Sequence, residues 1–305
     1  MKFIDPRIDF AFRKIFGSED AKDILISFLE SLLGLEGERR IAELTLLDPF
    51  LAPKIKELKY SILDVKCRDH RDVVYIVEMQ IQRVAAFLKR IQYNAAKTYV
   101  HQIERGDDYP QLNQVIAITI SDFVVFEQFG HWVSRHEYRE TVSGASCLQE
   151  IVHYFIELPK FTKSVEDLEG VLDQWIWFIR YAGSLEKVPK RMQTAAPLRH
   201  AFEKARLANM SREELELYES AGVALADARG AVEQARMDGE ARGEARGRRQ
   251  AAIDLLRLLL RQRFGPGLPT VVEERLARAS PVELERWTGR ILTAVSLDGL
   301  FDGAD

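Results

Sequence analysis

The chain has 305 residues, 47% hydrophobic and 30% charged, with 43 basic against 47 acidic side chains and a formal net charge of −4. Without a basic excess, contact with nucleic acid has to come from a local patch. Two cysteines, Cys67 and Cys147, make neither a disulfide framework nor a metal cluster. MKFIDPRIDF carries charges where a signal peptide needs an apolar run, and no stretch reaches the length of a membrane span, so a cytoplasmic protein with no membrane partner is expected.

Residues 7–33 place Ile8, Phe12, Ile15 and Phe16, then Ile24, Leu25, Phe28, Leu29, Leu32 and Leu33, at helical spacing. Gly17-Ser18 divides the run into two helices, with Ser18 able to cap the second and Gly34 ending it. IAELTLLDPFL (41–51) reads as a strand stopped by Asp48-Pro49.

Residues 59–82, KYSILDVKCRDHRDVVYIVEMQIQ, read as two strands joined by the polar turn Arg68-Asp69-His70-Arg71-Asp72. Alternation puts Tyr60, Ile62, Asp64 and Lys66 on one face of the first strand. In the second, Tyr75, Val77, Met79 and Ile81 share one face, and Glu78, Gln80 and Gln82 the other. A turn centred on Arg71 sets Asp64 opposite Glu78, about 5 Å apart, a destabilising pairing unless a positive charge lies between them. Mg²⁺ or Mn²⁺ suits such hard oxygen ligands. Two carboxylates can hold an ion that polarises a phosphoryl oxygen, and Gln80 can hydrogen-bond a water or phosphate oxygen without acting as acid or base. The plainer reading is a solvated strand face near a sheet edge; the apolar residues around the pair argue against it.

Residues 84–104 form an amphipathic helix with Phe87, Ile91, Ala95, Tyr99 and Ile103 at four-residue steps, closed by Gly106. Lys89, Arg90, Lys97 and His101 fall on its other sides, and Tyr93 and Tyr99 are assigned to core packing. VIAITI (115–120) suits a strand buried on both faces. A strand near 132–140, an apolar stretch at 147–158 and a tryptophan-rich helix over 167–181 follow, which makes an α/β core with helices packed on a sheet. Residues 226–252 have little to bury: either a solvated helix or tether, or a stripe of Gly239, Gly243 and Gly247 for close helix contact or an arginine-bearing arm. IDLLRLLLRQRFG (253–265) and two further segments, the last capped by Ser280 with Pro281 behind it, make a small helical unit.

The spacing Asp-x13-Glu-x-Gln resembles the PD-(D/E)XK nuclease superfamily in the variant where glutamine replaces lysine. DFAFRKIFG (9–17), ELKYSILDVKCRD (57–69), YIVEMQ (75–80), RIQYNAAKTYVHQIERGDDYPQLNQVIAITISDF (90–123) and ELPKF (157–161) are similar to the recombination-promoting nuclease/putative transposase family. The resemblance implies a restriction-endonuclease-like core, a mixed central sheet flanked by helices, taken as residues 1–210. A helical connector at 211–252 and a helical unit at 253–305 follow, the latter resembling a domain of unknown function often appended to these nucleases. It further implies a Mg²⁺-dependent DNA endonuclease linked to recombination or transposition, with Asp64 and Glu78 as metal ligands and Gln80 in the catalytic lysine's place. Arg13, Lys14 and Lys66 are candidate DNA contacts, and Asp9 and Gln82 further candidates. The family's usual turn glycine before the second strand is missing here, and Asp72 could compete as a ligand. The alternatives are an inactive nuclease-fold module that binds nucleic acid or protein, and self-association through the C-terminal helices.

Overall fold

The apolar run at 115–120 becomes the middle of a mixed sheet. The computed structural model describes residues 2–51 and 61–301; Tyr60 lies outside them. The chain divides into two compact units, Met1–Leu225 and Ala226–Asp305.

The first unit contains α1 (Asp9–Phe16), α2 (Lys22–Leu33), β1 (Leu44–Leu46), β2 (Phe50–Leu51), β3 (Ser61–Ile62), β4 (Val65–Asp69), β5 (Val74–Gln80), α3 (Phe87–Val100), β6 (Val115–Ser121), β7 (Val133–His136), β8 (Ile151–Glu157), α4 (Val171–Tyr181) and α5 (Ala196–Lys204). α6 (Arg212–Phe264) starts in this unit and belongs to it through Leu225. Six strands pair in the order β1-β4-β5-β6-β8-β7. β6 runs parallel to both β5 and β8; the remaining pairings are antiparallel. A parallel neighbour needs a crossover, which α3 supplies between β5 and β6.

Alternation along β5 holds, but both faces are covered. Tyr75, Val77 and Met79 join a core with Phe12, Ile15, Phe16, Phe28 and Trp175 from α1, α2 and α4. Val74 and Ile76 pack on the other side with Ala95 of α3 and Val115 and Ala117 of β6. Each large side chain so buried contributes about 1.5–3 kcal/mol. Aromatic edges hold the first layer together: the Phe16 ring lies 5.7 Å from Phe28 and 5.8 Å from Trp175, whose indole N–H reaches Ser27 Oγ at 3.2 Å.

Several local expectations shift. Ser18 does not cap α2 with its side chain; its hydroxyl donates to Lys14 O, and a short 3₁₀ turn leads into the helix. The 41–51 strand divides at Asp48-Pro49, where Asp48 Oδ1 accepts from Phe50 N, so β1 and β2 enter different sheets. Tyr93 is exposed rather than in the core, while Tyr99 packs as expected. The first turns of α6 are tied into the first unit, because Lys14 pairs with Glu214 and Tyr218 Oη accepts from Asp5 N at 2.9 Å. The unit boundary therefore falls beyond residue 210.

In the second unit, Ile253, Leu256 and Leu260 of α6 pack with α7 (Thr270–Arg278), α8 (Pro281–Arg290) and α9 (Leu297–Phe301) around Trp287. Ser280 caps α8 in a reciprocal box with Glu283. Residues 253–264 are the end of α6, not a separate helix. A Cβ at Gly239, Gly243 or Gly247 would meet no atom within 4 Å, so the glycine stripe seats no close neighbour among the described residues.

Gly17 ends α1 beside Val65 of β4. A Cβ there would lie 3.0 Å from Arg13 O and 3.2 Å from Val65 Cγ2. Gly17→Ala is expected to lower stability by up to about 1 kcal/mol if Val65 cannot shift by a few tenths of an ångström, read as a shift of the urea midpoint at unchanged slope.

Candidate active site

The hairpin is set by its turn. Asp69, its side chain fully buried, accepts backbone N–H groups of Arg71 at 2.9 Å and Val73 at 3.2 Å on Oδ1, and the Tyr75 hydroxyl at 2.8 Å on Oδ2. This carboxylate closes the turn with no glycine. Asp72 takes the left-handed conformation at φ 63°, which aspartate tolerates better than most residues. The turn is thereby centred on Arg71, as the alternation requires. Asp72 pairs with Arg68 instead and sits about 20 Å of strand length from Glu78, too far to share an ion with it.

β4 and β5 pair as Val65↔Val77 and Lys66↔Ile76. One step further, that register sets Asp64 against Glu78 at the open end of the hairpin. There β5 and β6 run out in parallel, with Glu78 beside Thr119 and Gln80 beside Ser121. The carboxyl ends of parallel strands are where α/β sheets place their ligands.

Both acids are withdrawn from water: Asp64 keeps 9% of its side-chain exposure and Glu78 5% of its residue exposure. Asp64 Oδ2 accepts the Met79 backbone N–H at 2.9 Å, and Oδ1 accepts Nη2 of Arg13, from α1, at 3.0 Å. Burial still raises the Asp64 pKa, and the charge of Asp9 adds to the effect. Glu78 Oε1 accepts from Asn94 Nδ2 of α3 at 3.1 Å. Burial and then Asp64 push Glu78 up to about 7, against smaller opposing effects of Arg90 and Asn94. Burial thus shifts both carboxyls toward their neutral forms despite these partners.

Gln80 stands on the Glu78 face, its Oε1 accepting from the Arg90 guanidinium. Lys66 is on the Asp64 face, half-buried, and its pKa is lowered by that burial. Of the α1 candidates, Asp9 acts on Asp64 through its charge, Arg13 reaches Asp64, and Lys14 turns to Glu214. Gln82 lies just beyond β5, with its buried Nε2 lacking a hydrogen bond among the described residues. Asn94 and Arg90 are the contributions that sequence reasoning did not assign to the site. Asn94 had a visible signal, a polar residue three positions after Ile91 on the apolar side of α3. Arg90 had none beyond its charge.

Among the described residues no group of three or more His, Cys, Asp or Glu side chains could hold a metal ion. The donor set is the two carboxylates, and Glu78 Oε2 receives no hydrogen bond from a described residue. Two carboxylates, one of them already paired with Arg13, with other positions left to water and phosphate, fit the way Mg²⁺ is held in phosphoryl-transfer sites.

A six-stranded mixed sheet flanked by helices, with an acid pair at the carboxyl end of β5, makes this an α/β protein. Residues 6–235 match the family model for PD-(D/E)XK nuclease family transposases, and the chain belongs to that family. No curated protein and no solved structure matches it. Membership gives it a nuclease-like or transposition-related role, and nucleases of this kind generally use divalent metal ions. No helix among the described residues is long and apolar enough to cross a membrane.

The Glu78 shift has a measurable consequence in metal-free buffer. Its folded pKa of about 7 lies above the ordinary 4.5, so between these values the folded state binds more protons and stability falls as pH rises. The loss is ~3 kcal/mol. Glu78→Gln is expected to match the wild type near pH 4.5 and to exceed its stability above pH 7, measured by urea unfolding across that range.

Proposed function

We propose that this chain is a Mg²⁺-dependent endonuclease that hydrolyses DNA phosphodiester bonds in recombination or transposition. The reading rests on one observation: Asp64, in the bend before β4, and Glu78 of β5 are both largely withdrawn from water and lie close enough together at the carboxyl end of β5 for the charge of Asp64 to act on Glu78. Family membership supports it.

In this reading Asp64 and Glu78 hold the ion, with Mn²⁺ as a substitute. When bound, the ion supplies Lewis-acid polarisation of a phosphoryl oxygen and makes a nearby water more acidic. The protein's own groups do the rest. Asn94 holds one oxygen of Glu78 and the Met79 N–H one oxygen of Asp64. Gln80 donates a hydrogen bond at the phosphate, and Arg13, Lys14 and Lys66 make up the local basic patch that a chain without a basic excess needs, with phosphate competing against Asp64 for Arg13 and against Glu214 for Lys14. Water forms a new P–O bond while the bond to the leaving sugar oxygen breaks. One water proton ends on that oxygen, and the other is lost to solvent.

Asp64→Asn and Glu78→Gln keep shape and burial, and each is expected to reduce Mg²⁺-dependent plasmid cleavage to background with an unchanged circular dichroism spectrum. Unchanged cleavage in both would sink the proposal. The second reading, a nuclease fold that binds without cutting, draws on Gln80, which cannot exchange a proton at neutral pH. Tight binding of labelled DNA with no cleavage in any divalent cation would select it.

A further inference from the structure

Gln80 and Arg90 form a contact whose chemistry fixes more than proximity. The Arg90 guanidinium donates to Gln80 Oε1. A guanidinium has donors only, so the amide can face Arg90 in just one way: oxygen toward the arginine, NH₂ turned from it.

The contact is one of two matched rungs. Arg90 and Asn94 are four residues apart on α3, hence on one helix face, and they reach Gln80 and Glu78, two residues apart on one face of β5. Four helical residues rise about 6 Å and two strand residues about 6.6 Å. Each turn of α3 thus meets one repeat of β5, running in the opposite direction. Helix stability gives no reason for a cation at position 90. Arg90 lies at the start of α3, where the helix dipole disfavours positive charge, and no acid occupies that first turn. Its charge also reaches Glu78.

We propose that Arg90 is a positioning residue for phosphodiester hydrolysis, holding Gln80 so that its NH₂ group donates to the phosphoryl oxygen on which negative charge develops. This rests on the endonuclease reading of the Asp64–Glu78 site. Gln80 is the group that touches substrate, and Arg90 acts through it.

The test uses the full chain, plasmid DNA and Mg²⁺, with kcat and KM measured separately. Arg90→Gln is expected to lower kcat by ~10²-fold, the effect of losing one oriented donor at a developing charge, with KM unchanged. Arg90→Lys, which still donates to Oε1, should recover part of the loss. Gln80→Glu keeps the contact with Arg90 but has no N–H to offer, and should fall as far as Arg90→Gln. The pair Gln80→Lys with Arg90→Gln moves the positive donor to position 80 and should cleave faster than Arg90→Gln alone. Wild-type kcat in Arg90→Gln or Gln80→Glu, or a change confined to KM, overturns the proposal. Positioning has its own readout, which needs no cleavage: the NMR signal of the Gln80 side-chain NH₂, assigned by its absence in Gln80→Ala. It should move in Arg90→Gln, and an unmoved signal overturns the proposal. A wild type that does not cleave defeats the endonuclease reading itself, and the NMR signal still decides whether Arg90 orients Gln80.

Discussion

Two carboxylates side by side in a sheet covered on both faces carry a desolvation cost of several kcal/mol per charge unless each is hydrogen-bonded or neutralised. Asp64 and Glu78 are in that position, and much of the surrounding structure answers it. α1 delivers Arg13 to Asp64, α3 delivers Asn94 to Glu78, and the β5 backbone gives its Met79 N–H to Asp64. These contacts offset the cost only in part, since both acids remain shifted toward their neutral forms. The cost is carried where β5 is otherwise built of valine, isoleucine, tyrosine and methionine up to Glu78.

The pair exists only in one register. A slip of one residue between β4 and β5 would turn Glu78 into the aromatic layer around Phe16 and Trp175 and Val77 toward α3. The turn is built to prevent this. Asp69 is buried and takes two backbone N–H groups and the Tyr75 hydroxyl, which ties the turn to the first residues of β5. The left-handed Asp72 costs on the order of 1 kcal/mol relative to glycine, and the Asp69 network covers it. Gly17 plays the matching part from the other layer, letting α1 approach Val65 closely enough for Arg13 to reach the neighbouring Asp64.

The local half of this arrangement was legible in the residues. Period-two alternation and a polar turn centred on Arg71 led to the β4–β5 register, and the unbroken apolar run at 115–120 led to the central strand. The first strand, however, breaks before Val65, which leaves Asp64 in a bend and Ser61–Ile62 in another sheet. Where chain punctuation is strong, as at Gly34 or at Ser280-Pro281, helix limits were legible too. The polar face of the hairpin left one alternative standing. Glu78 and Gln80 also read as the wet face of an edge strand, and pairing on both sides shows β5 to be internal. That pairing depends on β6, more than thirty residues further along the chain.

What stayed out of reach is the part that long-range topology supplies. Arg90 and Asn94 follow Gln80 by ten and fourteen residues, and nothing in that separation says they will return to it. Their meeting requires the crossover to lay α3 back along β5 in the opposite direction, so that helical steps of four fall against strand steps of two. Once that is so, the donors on α3 and the acceptors on β5 select one another by spacing alone. A charge on the outer side of an amphipathic helix then becomes part of the site, which no periodicity within 84–104 could have revealed. Lys14 illustrates the converse. Its place in the N-terminal motif marks it for phosphate, yet α6 brings Glu214 from two hundred residues away to meet it. An incoming phosphate must therefore compete with a carboxylate already seated there.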